Sequence, residues 1–470
     1  MVSEKKSTFS GSIGFVLASA GSAVGLGNIW RFPYLAAEGG GGVFLVTYII
    51  LALTFGFTLL TTDVAIGRRT KKSPIEAYAA ISKKWKFVGY LAFIVPALII
   101  TYYTVIGGWI IKYLVTYIIG HGNAAAESNY FTEFITSPVA SIIYMLIFFL
   151  ATAFIVYNGV EKGIEKSSKY IMPGLFVLIF IIAIYSLFLK HDDNGTVRTG
   201  LQGLYHYIIP SFKGMTLTGF LDVLLSAMGQ LFYSLSVAMG IMITYGSYVK
   251  DDVNLPSSLG QIEFFDTMVA FLAGMMIIPA VYVFYGMDGM SAGPSLIFVS
   301  LPKIFQSMGF IGQIIGVLFF IMVLFAALTS CVSILETLVA NCMEVFKAER
   351  KKSCITVTAI ATAAAVIICL GYSVFYFEVT LPTGAVAQLL DIADYISNSV
   401  LMPIVSISTC VLIGWIVGPK WITDEIEKNN VVFKRKRLYV IMIKFVAPVL
   451  LFILFLQSIG VFNIIGKLFS

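Results

Sequence analysis

The chain has 470 residues, of which 59% are hydrophobic and 12% charged, and its formal net charge is +6. That apolar excess excludes an ordinary soluble domain, and repeated apolar stretches of about 20 residues read as bilayer spans. The cations fall in separate clusters at span ends, so topology explains them and no nucleic-acid partner is implied.

The N-terminal MVSEKKSTFSGS is too short and too polar for a cleaved signal peptide. The first predicted span, 11–36, carries the run Gly21-Ser22-Ala23-Val24-Gly25-Leu26-Gly27-Asn28, with Arg31 close behind. Each glycine costs a helix about 1 kcal/mol, and an unpaired intramembrane Arg costs at least about 2.5 kcal/mol. Close helix packing would account for the small residues alone. It requires neither the Asn nor the Arg, so the run predicts a helix broken around a small ligand. Four further spans follow, at 42–66, 87–119, 139–158 and 170–189.

The sixth span, 217–248, has a centre rich in hydroxyls and small residues, Gly229-Gln230 through Gly240. Spans at 259–285, 309–346, 354–377, 384–416 and 438–464 complete a set of eleven. Lys5 and Lys6, the Arg68–Lys86 cluster, Lys162 to Lys169, Lys347 to Lys352 and Lys434 to Arg437 mark alternate loops. They place the N-terminus in the cytoplasm and, with an odd span count, the C-terminus outside. The five cysteines lie in spans or at cytoplasmic ends, so no extracellular disulfide is expected. His121, His191 and His206 fall in outer loops without metal-ligand spacing, and no phosphate-cradling loop is present.

Interrupted segments opening each of two five-span groups point to a binding site at a repeat interface. The expected architecture is an all-α polytopic membrane protein with an inverted five-plus-five repeat. It divides into a tail 1–10, repeats 11–190 and 191–416, and a final loop and span 417–470.

The chain resembles bacterial members of the neurotransmitter:sodium symporter family over nearly its whole length. The resemblance is carried by Gly21–Asn28 running into Trp30-Arg31-Phe32-Pro33, Tyr102-Tyr103 with Gly108-Trp109, Gly229-Gln230 through Ser236, Leu328-Thr329-Ser330, and Asp391-Ile392-Ala393-Asp394-Tyr395. It implies Na⁺-coupled symport of an amino acid, with two Na⁺ sites and hard oxygen ligands. The first site would use Ala23, Asn28, Ser234 and Asp266; the second Gly21, Val24, Ala326, Thr329 and Ser330. Ser22, Ala23, Gly27, Ile99, Tyr103, Tyr233, Ser234, Ser236, Met239, Ser330 and Ile334 would hold the substrate.

Gly25 stands where monoamine carriers place an Asp, so the substrate should bring its own carboxylate and be a neutral α-amino acid. Asp266 supplies a fixed negative charge and Ala270 no oxygen ligand, which argues against a chloride requirement. By the same resemblance Arg31 and Asp394 form an outer gate, Tyr248 and Glu336 an inner one, and Lys6 and Glu344 an inner ion pair. Phe9 replaces a usual Trp, and Asp63 replaces a usual Glu that would hold unwound backbone amides. Two other classes, a ligand-gated ion channel and an intramembrane aspartyl protease built on Asp266 and Asp394, fit less of the pattern.

Overall fold

The computed structural model describes residues 8–193, 196–212, 215–286, 289–290 and 293–461. Among them nine helices are long and apolar enough to cross a membrane: Gly42–Thr70, Lys83–Ile118, Pro138–Tyr157, Val160–Leu187, Leu255–Tyr285, Gly309–Phe346, Arg350–Leu370, Leu389–Ile416 and Lys436–Ser458. Ser12–Ala23 and Gly27–Glu38, bent by 54° at their break, make a tenth span in first position. Leu217–Ser234 and Ile241–Ser247 together take the sixth position. Among the described residues, ten spans are long and apolar enough to cross, and the broken sixth position brings the bundle roughly to the eleven that the sequence pattern predicts.

The two breaks differ in their local chemistry. In the first span, Val24 turns to an extended ψ of 97° while its N–H still closes the inner half on the Ala20 carbonyl. The outer half begins with a wide π-helical turn, Gly27–Arg31, a geometry that recurs at functional sites. In the sixth span, Ser236, Ala238 and Gly240 adopt φ of 52°, 63° and 70°. Non-glycine residues held in that left-handed region persist only when their surroundings enforce it. Here Asp63 on the second span accepts a hydrogen bond from the Ala238 N–H at 3.1 Å.

Several span ends lie away from their hydropathy limits. The fifth helix begins at Val160 rather than 170, because its charged first turns are satisfied within the protein. Glu165 there pairs with Lys169 at 2.7 Å and accepts from the Ser10 N–H at 2.8 Å. The ninth span runs Arg350–Leu370 rather than 354–377, and the tenth starts at Leu389 rather than 384. A short apolar helix, Leu296–Ser307, occupies the stretch between the predicted seventh and eighth spans.

Burial separates centre from periphery. The second and seventh spans are 72% buried over their most apolar window, whereas the fourth, fifth, ninth and eleventh are 33% buried and face outward. Gly67 and Gly246 seat the second span on the inner half of the sixth. A Cβ at Gly67 would lie 1.9 Å from the Ile243 carbonyl oxygen, and one at Gly246 2.3 Å from that of Val64. Such small residues let two helices meet at backbone distance.

Candidate functional site

The broken segments converge with the third and eighth spans on one cavity of about 30 Å³. Its wall includes every residue expected to hold substrate: Ser22, Ala23, Gly27, Ile99, Tyr103, Tyr233, Ser234, Ser236, Met239, Ser330 and Ile334. Gly25, Leu26, Asn28 and Ile241 complete it. Leu26 and Ile241 had no distinguishing sequence signal, being apolar residues beside a break. The Tyr103 hydroxyl is buried and finds no hydrogen-bond partner among the described residues. A Cβ at Gly25 would approach it to 3.4 Å and the Ser330 Oγ to 2.9 Å. The cavity therefore offers a donor and no room for a side chain at position 25.

Asp266 lies beside the cavity, fully buried. Its Oδ1 accepts from Ser234 Oγ at 2.6 Å and Asn28 Nδ2 at 2.9 Å, and its Oδ2 from the Tyr48 hydroxyl at 3.2 Å. The Asn28 Oδ1 accepts from the Gly25 N–H at 3.1 Å. No Lys or Arg among the described residues pairs with this carboxylate. A buried acid with only neutral donors is a costly charge that a hard cation would compensate. Tyr48 was missed by sequence reasoning because a single Tyr in an apolar span has no local mark.

A second cluster of oxygens lies across the first break. Ser330 Oγ is 3.5, 3.2 and 3.3 Å from the carbonyl oxygens of Gly21, Ser22 and Val24. Thr329 donates back to the Phe325 and Ala326 carbonyls at 3.0 and 3.1 Å, leaving its own oxygen free to accept. Gly21 brings the first span close, since a Cβ there would be 3.2 Å from Thr329 Cβ.

One end of the bundle, the one expected to face the cytoplasm, is closed by a charged network. Tyr248 donates to Glu336 Oε1 at 2.6 Å, and Arg350 donates to the same oxygen at 3.0 Å and also pairs with Oε2. Arg350 further reaches the Val156 carbonyl at 2.9 Å. Phe9 packs against Tyr245 and Tyr248, and its N–H donates to the Tyr248 carbonyl at 3.1 Å. Arg350 had been counted with a basic loop; the signal for it was Glu336, an acid inside a span that needs a cation. Lys6 lies outside the described residues, and Glu344 accepts from the Ser73 N–H at 2.7 Å.

The opposite end has a vestibule in place of an ion-paired network. Arg31 and Asp394 line a vestibule of about 430 Å³ and, in this structure, do not make the expected ion pair. The Arg31 guanidinium lies 6.0 Å from the Tyr233 ring centroid. Asp394 accepts instead from Asn398 Nδ2 at 2.6 Å, a partner on its own helix and nearer to hand.

Two broken spans converging on a central cavity, with a charged network at one end and a vestibule at the other, are the arrangement of a secondary transporter. The sequence profile of the Sodium:neurotransmitter symporter family matches residues 6–133 and 135–466. An uncharacterized sodium-dependent transporter of Bacillus subtilis is 33% identical, covering 98% of this chain and 100% of its own. Another from Methanocaldococcus jannaschii is 31% identical over 90% of this chain and 85% of its own. The crystal structure of MhsT in complex with L-phenylalanine aligns with TM-score 0.83 and 36% identity, covering 97% of this chain and 100% of that one. The chain belongs to the sodium:neurotransmitter symporter family and is a multi-pass, sodium-coupled membrane transporter.

Proposed function

We propose that this chain imports a neutral α-amino acid across the cell membrane with Na⁺ bound at two sites, by alternating access and without chloride. The observation that carries the reading is Asp266, buried, held by Ser234, Asn28 and Tyr48, and lacking a cationic partner among the described residues. Na⁺ is the ion that fits, with the Ala23 carbonyl, Asn28, Ser234 and Asp266 supplying hard oxygens. The Gly21, Val24 and Ala326 carbonyls with Thr329 and Ser330 form the second set. The substrate carboxylate would take the free Tyr103 hydroxyl and the amides freed by the first break, where half-helix ends favour anions. The bound phenylalanine of MhsT fits this class of substrate.

Tyr48, which donates to Asp266 Oδ2, is satisfied by protein charge and leaves nothing for chloride to do. In this reading the N-terminus is cytoplasmic, the C-terminus is outside, and the repeats run 11–190 and 191–416. Proteoliposome uptake tests it. Transport should be electrogenic, vanish when choline replaces Na⁺, and be unchanged when gluconate replaces chloride. Neutral amino acids should compete and their decarboxylated amines should not. Asp266→Asn removes a full charge from a desolvated cation site, so the Na⁺ concentration for half-maximal uptake should rise about tenfold or more. An Asn variant with unchanged Na⁺ dependence would overturn the assignment of Asp266.

A further inference from the structure

The outer approach contains a residue that neither the sequence pattern nor the gate pair accounts for. The tenth span widens into a π-helical turn, Tyr395–Leu401, starting immediately after Asp394. Within it Asn398 presents Nδ2 to Asp394 Oδ1 at 2.6 Å and to the Tyr102 hydroxyl of the third span at 3.2 Å. Its Oδ1 is buried with no hydrogen-bond partner among the described residues. Turning the amide over would set that oxygen against the carboxylate, so the donor face is fixed on Asp394. Arg31, lining the same vestibule, lies near the Tyr233 ring and does not contact Asp394.

We propose that Asn398 is a positioning residue that holds Asp394 on its own side of the vestibule, so that Arg31 must compete with it before the outer approach can close. The inference rests on the reading of Arg31 and Asp394 as the outer gate. Asn398 delays a premature Arg31–Asp394 pair, and substrate binding must tip the exchange. A gate without this competitor would close on an unloaded cavity more readily.

The test uses the full-length transporter carrying Leu35→Cys, a vestibule position, labelled by a membrane-impermeant maleimide in Na⁺ without substrate. Asn398→Leu, which keeps bulk but donates nothing, should lower the labelling rate about tenfold, the effect typical of losing a hydrogen bond to a charged group. Asn398→Ser, which restores a donor, should recover most of that rate. In the Arg31→Ala background the Asn398→Leu change should have no effect, because no competitor remains. Should Asn398→Leu not fold, judged by loss of Na⁺ binding, Asn398→Ala is read by the same criteria. Unchanged labelling in the donor-less variant overturns the proposal, as does an equal drop with and without Arg31, which is what a merely structural role would give. The gate reading fails separately: Arg31→Ala would then transport at the wild-type rate.

Discussion

At one end of the cavity, Tyr248, Glu336 and Arg350 form one network; at the other, Arg31 and Asp394 line a vestibule of about 430 Å³ without an ion pair between them. The inner groups are largely desolvated, and Glu336 carries the charge that pairs with Arg350, so separating them leaves buried charge without its counter-charge. The outer groups each have a local alternative, an aromatic face for Arg31 and an amide for Asp394. Exchange of partners on the outer side is therefore inexpensive, and opening the inner side is not. The difference sets which side is open when the two are compared in one molecule.

The sharpest way to break that contrast is at Glu336. Glu336→Ala strands the Arg350 guanidinium and the Tyr248 hydroxyl, and removing one partner of a buried pair costs about 3–5 kcal/mol. Uptake should fall by more than about a hundredfold, and thiol labelling from the side that this network closes should rise. Near-normal uptake would mean the inner network is no seal. On the outer side, Arg31→Ala removes a pair formed only on closing. A hydrogen bond to a charged group is worth about 1.5–3 kcal/mol, so turnover should slow about 10–100-fold while Na⁺ binding persists.

Between the two gates, Gly25→Ala places a Cβ 2.9 Å from Ser330 Oγ. Overpacking of about 1–3 kcal/mol should raise the Michaelis constant for substrate about tenfold, with a smaller change in Na⁺ affinity. Equal effects on both would place Gly25 away from the substrate. The smallest effect belongs to an exposed pair, Lys71 with Asp251 at 2.8 Å. Hydrogen bonding to Lys71 holds the Asp251 carboxyl below its usual range. A depressed carboxylate contributes stability that is present at neutral pH and lost as pH falls through its folded-state pKa. Lys71→Ala should cost less than about 1 kcal/mol at pH 7 and less still in strong acid, where the Lys71 bond to the Val249 carbonyl remains but the ion pair is gone, read from thermal unfolding at both pH values.

Sequence carried the architecture because a bilayer imposes one rule: apolar runs of sufficient length, broken only where backbone lines a cavity. The glycines and Asn28 announced the first break, and the hydroxyls near Ser234 and Ser236 the second. Glu165 and its paired neighbours hid the start of the fifth span, since hydropathy reads a satisfied charge as a loop. Arg350 was concealed in the same way among loop cations. The Asn398 contact depends on a wide helical turn and on which side chain reaches Asp394 first. Tyr48 depends on which face of the second span meets the seventh. Neither is written in local composition.

The paired glycines at 67 and 246 have a practical consequence. The second span and the inner half of the sixth meet at backbone contact, and Asp63 ties the same two segments through Ala238. They should travel as one piece through the cycle. Spectroscopic probes placed one on each would report a constant separation under every ionic condition. That pair supplies an internal ruler, against which the displacement of any other helix can be measured within the same molecule.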